Sequence, residues 1–141
     1  MSHRSSAEIR ELLRTSGRLP EEWFRRDNRY GLAVTARVVL PFLVLLATLP
    51  IVSAELGIVG VAVSGFLIGT LAYQISIVTH DCCHASLFEK PYWNQVIGHA
   101  GGCVTGSYFP TFKHTHNLHH RYNLSEKDPQ FHETAGLDGA S

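Results

Sequence analysis

Residues 38–54 form an almost unbroken apolar run, and residues 56–79 form a second run with no charge at all. Only Glu55 separates them. The runs hold 17 and 24 residues, and a helix that crosses a bilayer needs about 20. No other feature constrains the fold as strongly. A segment lying in hydrocarbon must satisfy its own backbone polar groups, so it has to be helical. The competing fold is a buried helix pair in a soluble protein, but a chain of 141 residues has too little else to cover such a core. The expected class is an all-α membrane protein: a transmembrane helical hairpin over 38–79, with cytoplasmic or interfacial helices around it. Pro41 and Pro50 sit near the ends of the first run, where they predict a tilt or a kink.

Charge sets the orientation. Eight of the 12 Lys and Arg residues precede the first run: Arg4, Arg10, Arg14, Arg18, Arg25, Arg26, Arg29 and Arg37. Basic residues stay on the cytoplasmic side, so residues 1–37 form a cytoplasmic N-terminal segment and Glu55 lies on the far side. The hairpin then returns the chain to the cytoplasm at His80. The expected location is integral to the membrane, with the N-terminus and everything after residue 79 cytoplasmic. The net charge is zero, and no nucleic-acid partner is expected. The long, arginine-rich start does not read as a signal peptide. Cys82, Cys83 and Cys103 are the only cysteines; they form no disulfide framework, which fits a reducing compartment. Cys82 and Cys83 read first as small helix residues and second as thiolate ligands.

Within the N-terminal segment, Ser5-Ser6-Ala7-Glu8 has the pattern of a capping box. Ile9, Leu12 and Leu13 then share one helical face, and Gly17 can close the helix. Such a helix can lie on the membrane surface or pack on the cytoplasmic portion. Trp23 and Phe24 beside Arg25, Arg26 and Arg29 form an interfacial anchor pattern. Further on, Tyr92 and Trp93 mark a return to the interface. Residues 94–112 are apolar and glycine-rich but interrupted by His99 and Pro110. They predict a re-entrant or interfacial helix, because a true span would place the two histidine groups on opposite sides. Residues 131–141 read as a loop.

Those two groups carry the chemistry. His80 and His84 are four residues apart, so on a helix that continues out of the second run both rings leave one face. His116, His119 and His120 repeat the pattern at steps of three and four. Imidazole suits iron, zinc and copper, and two such faces can converge on one or two metal ions. The predicted metal ligands are His80, His84, His116, His119 and His120. Asp81 reads as a carboxylate that orients a ring N–H or as a plain helix-terminus charge. His114 points away from His116 on a helix and is not counted as a ligand. His99 reads as packed and hydrogen-bonded; His3 and His132 carry no argument. A glutamate placed as in His-Glu-x-x-His is missing, which weighs against a membrane zinc hydrolase. Neither apolar run contains a histidine, which weighs against haem between spans.

These residues resemble the membrane fatty acid desaturase superfamily, whose first two histidine boxes match His80 to His84 and His116, His119 and His120. The text from Asn117 to Asn123, followed by Lys127-Asp128-Pro129, is similar to that family's sequence after its second box. Asn94 and Gly98 resemble its spacing residues between boxes, and Phe112 stands where many members have Trp. The resemblance covers residues 32–130, with 80–130 as a partial catalytic region. It implies two non-haem iron ions, O2 as co-substrate, and an external electron donor, a ferredoxin or b-type cytochrome. The implied partners are the lipid bilayer, an acyl-lipid substrate and that electron-transfer protein. The implied reaction introduces a double bond into an acyl chain. A hydroxylase or ketolase of the same superfamily, acting on a carotenoid, alkane or sphingolipid, shares the first hydrogen abstraction and stays open. So does an inactive, truncated membrane protein. The third box that the family places after two further spans has no counterpart here. The chain therefore reads as an N-terminal fragment, expected to be inactive in isolation.

Overall fold

In the computed structural model, which describes residues 6–17, 25–123 and 125–129, four helices follow in order. They are α1 (Ser6–Thr15), α2 (Asn28–Cys83), α3 (Pro91–Thr105) and α4 (Phe109–Tyr122). Among the described residues there is no strand, in keeping with the all-α expectation. The chain divides into two compact units, residues 27–114 and residues 1–26 with 115–141.

In the smaller unit, α1 ends as its sequence predicts. Gly17 takes a left-handed φ of 63°, and Ser16 N–H donates to the Leu12 carbonyl at 2.9 Å. The predicted cap at Ser5, the Ile9 side chain, the Trp23–Phe24 anchor, His3, His132 and the 131–141 loop lie outside the described residues.

The larger unit is built on α2. Asp27 caps its start, accepting from the Arg29 backbone N–H at 2.8 Å, which satisfies one of the donors that a helix start leaves open. The helix thus begins well before residue 38, where the apolar run begins. Pro41 and Pro50 lie inside it, yet the backbone leaves helical geometry at Gly57 instead (φ 57°, ψ −143°). Proline has a helix-compatible φ, so it can sit inside a helix at the cost of one hydrogen bond and a ring clash with the preceding turn. A φ near +57° suits glycine and few other residues, so the break falls at Gly57 rather than at either proline.

Packing joins the lengths on either side of Gly57. Val38 and Phe42 share one buried cluster with Ile75. Gly31 lies so close to the Leu87 carbonyl and the Phe88 ring that a Cβ there would collide with both. Few of the apolar side chains find such cover: Ile58 is 80% exposed and Phe66 74%. Among the described residues, α2 is the one helix long and apolar enough to cross a membrane.

A second cluster (Val78, Cys82, Cys83, Leu87, Phe88 and Phe109) seats the end of α2. Helix α3 packs along α2 through its glycines: a Cβ on Gly101 would strike Thr79. Its Pro91 start and left-handed Gly106 end limit it to 15 residues. That is about 22 Å at helical rise, too short to cross a bilayer alone. Asn94, fully buried, fixes the intervening loop: its Nδ2 donates to the Phe88 carbonyl at 2.8 Å, and its Oδ1 accepts from Phe88 N–H at 3.2 Å. Asn94 is thus a buried amide that satisfies a loop backbone.

Candidate metal centre

The first histidine pair ends α2. His80 and His84 place their ring centroids 4.8 Å apart, edge to face, the stacking that four-residue spacing gives. His84 is also the helix C-cap. The next residue, Ala85, has a positive φ of 49°, and its N–H donates to the Cys82 carbonyl at 3.0 Å. This is a left-handed helix stop built without glycine.

Asp81 does not clamp this pair. Its Oδ1 lies 3.6 Å from His80 Nδ1, with the two side chains 45% and 42% exposed, too far for a direct hydrogen bond. Cys82 and Cys83, in the last turn beyond residue 79, face the buried cluster. Burial pushes the Cys82 thiol up to about 12, reinforced by the Asp81 charge, and pushes Cys83 up to about 11 against the lowering effect of Lys113. Both sit in the buried cluster as packed small residues.

The second group lies on α4. His116 and His120 bring their Nε2 atoms to 2.9 Å, with ring centroids 4.5 Å apart. His119 turns elsewhere: its centroid is 6.2 Å from that of His116 and 5.7 Å from that of His120. Its Nδ1 lies 3.0 Å from each carboxylate oxygen of Asp128. Asp128 is only 2% exposed. Within the pair His80–His84, and likewise within His116–His120, one ring nitrogen of each residue lies within 4.8 Å of its mate's. Imidazoles at one-turn spacing suit iron, zinc or copper, and a carboxylate stands behind the third imidazole of α4, His119.

Asp128 is the residue that reading histidine spacing alone passes over. Its signal was a carboxylate a few residues beyond a histidine group, beside a proline. His99 is exposed; its Nδ1 pairs with the Gln95 carbonyl at 2.7 Å and its ring meets Phe109 at 5.1 Å. It therefore stays an ordinary helix side chain. His114 is exposed.

An open cavity of about 590 Å³ adjoins the first pair. Tyr73, Ile77 and Phe112 give it apolar walls, Ser76, Thr79, Thr105 and Ser107 contribute hydroxyls, and His80 forms part of its lining.

Residues 56–140 match the family profile described as fatty acid desaturase. The chain belongs to that family. This fatty acid desaturase family member is 30% identical over 112 residues to an omega-3 fatty acid desaturase of Caenorhabditis elegans, covering 78% of this chain and 27% of the relative. It is 36% identical over 47 residues to a Bacillus subtilis fatty acid desaturase, covering 33% and 13%. To an sn-1 oleoyl-lipid 12-desaturase of Picosynechococcus it is 35% identical over 63 residues, covering 43% and 18%. The matched stretches thus span between 13% and 27% of these relatives' lengths. No solved structure matches the chain.

Proposed function

We propose that this chain carries part of the catalytic region of an O2-dependent fatty acid desaturase embedded in a membrane. The reaction removes two hydrogens from adjacent carbons of a lipid acyl chain to leave a double bond. O2 is reduced to two waters, drawing two further electrons from an external donor, a ferredoxin or b-type cytochrome, and two protons from solvent. The observation that carries this reading is the pairing of imidazoles at one-turn spacing on two helices of a chain of this family.

The ligands are His80, His84, His116, His119 and His120. Held there, two non-haem irons would supply the oxidising power that an unactivated C–H bond demands. The chain's own part is to orient and to exclude. The Asp128 carboxylate holds the His119 ring, and the cavity beside His80 receives the acyl chain between Tyr73, Ile77 and Phe112. The two lengths of α2 form a transmembrane hairpin turned at Gly57. The uncovered faces bearing Ile58 and Phe66 meet lipid, as burial of apolar area favours. The arginines before residue 38 keep the N-terminus and both histidine groups cytoplasmic.

The test is to express the protein in membranes, assay bound metal, and analyse lipid acyl chains by gas chromatography–mass spectrometry. The expected result is iron and a new double bond, both lost in His84→Ala and in His119→Ala. Full turnover by either variant overturns the ligand set. Zinc in place of iron indicates a hydrolase, and a hydroxylated product indicates the hydroxylase branch.

A further inference from the structure

We infer that Asp128 is a positioning residue for His119: its carboxylate fixes the ring as the Nδ1–H tautomer and makes Nε2 the nitrogen presented to metal. The inference rests on the reading of His119 as a ligand. Both Asp128 oxygens lie 3.0 Å from Nδ1, and an ionised carboxylate only accepts, so Nδ1 carries the proton. The Asp128 side chain is 3% exposed and that of His119 26%. A carboxylate this buried needs a matched donor, and the ring N–H supplies one.

The backbone places the carboxylate for this task. Ser125 N–H donates to the Tyr122 carbonyl at 2.9 Å, and Asp128 N–H donates to the Ser125 carbonyl at 2.9 Å. The turn that follows α4 is thereby tied to the helix that carries His119. Pro129 restricts the Asp128 backbone to extended conformations. The ring and its orienting group thus share one short, locally closed stretch of chain. A carboxylate behind an imidazole also raises the basicity of the opposite nitrogen. The His116–His120 pair differs, since these two rings meet each other through Nε2 and Asp128 lies behind His119.

The test uses the 141-residue chain in detergent micelles with Co(II) alone as probe. Long-range 1H–15N correlation assigns the His119 tautomer without metal, and a visible-absorption titration then gives the Co(II) affinity. Circular dichroism confirms helix content in each variant. Wild type is expected to show the Nδ1–H tautomer. Asp128→Ala should lose that preference and bind Co(II) about 10- to 100-fold more weakly. Asp128→Asn is nearly isosteric and keeps an acceptor oxygen in place. It should retain the tautomer with a smaller loss of affinity, and it becomes the comparison if Asp128→Ala loses helix. An Nε2–H tautomer in wild type overturns the inference, as does unchanged Co(II) affinity in both variants. If the tautomer follows Asp128 but wild type takes up no Co(II), the ligand reading of His119 fails and the presentation of Nε2 to metal falls with it. Normal Co(II) binding with a tautomer indifferent to Asp128 removes this inference and leaves the ligand reading standing.

Discussion

The two histidine groups share a spacing and differ in how their rings are held. His80 and His84 close a long helix. The adjacent carboxylate, Asp81, is half-exposed and 3.6 Å from His80, and the chain leaves them through Ala85 in a left-handed conformation. His119 sits within α4, with a buried carboxylate at 3.0 Å from a turn tied to the same helix. The first group stands at a helix end seated in a buried cluster; in the second, one ring meets a buried carboxylate. Equal spacing in sequence therefore does not imply equal control of a ring.

The hardest test of that contrast removes one ligand from each group. His84→Ala and His116→Ala should each abolish metal uptake, measured as bound iron or by Co(II) titration. If either variant keeps wild-type affinity, the groups do not act together and the comparison loses its point. The next test compares the two carboxylates. Asp128→Ala should cost about 10- to 100-fold in Co(II) affinity. Asp81→Asn should cost less, because Asp81 is half-exposed and lies 3.6 Å from the His80 ring nitrogen, beyond direct hydrogen bonding. Equal losses would erase the distinction between the two carboxylates.

A third test attacks the packing under the first group. Gly101→Ala puts a Cβ onto the Thr79 side chain, one residue before His80. Overpacking of this kind costs about 1–3 kcal/mol and should lower the thermal unfolding midpoint, while the His119 tautomer stays as in wild type. A changed tautomer would mean that the two groups are not held independently. The smallest expected effect is at the helix stop. Ala85→Gly relieves a left-handed alanine, which costs about 1–2 kcal/mol, and part of that gain is returned as glycine's chain entropy. A net stabilisation of about 0.5 kcal/mol is expected in chemical denaturation; a destabilised variant would show that the Ala85 methyl packs usefully.

Much of this was legible in residue order because it depends on short spacing. Four-residue steps put His80 with His84 and His116 with His120, since the helix repeat alone aligns them. Gly17 closes α1 as its left-handed preference predicts. The break within α2 was harder to read. Two prolines suggested it, but a proline can sit inside a helix, whereas the positive φ of Gly57 cannot be helical. The segment 94–112, read as one re-entrant or interfacial helix, is instead divided: α3 ends at Thr105 and α4 starts at Phe109, with left-handed Gly106 between; nor did residue order reveal that Asn94 would serve the Phe88 backbone. Asp81 and Asp128 show the same gap. Both are aspartates close to histidines in sequence, and the adjacent one proved the weaker partner.

Residue order was enough for the all-α class, the long apolar helix, the pairs of histidines and, through its motifs, membership of the fatty acid desaturase family. Each rests on local periodicity or on the order of a few residues. Tertiary structure alone decided that Gly101 must be small, that Cys82 and Cys83 are packed rather than ionised, and that Asp128 rather than Asp81 holds a ring. Those outcomes depend on burial and on distances of a few ångströms between residues that chain order does not fix. Hydrogen bonds and desolvation respond to such distances far more steeply than to separation along the chain.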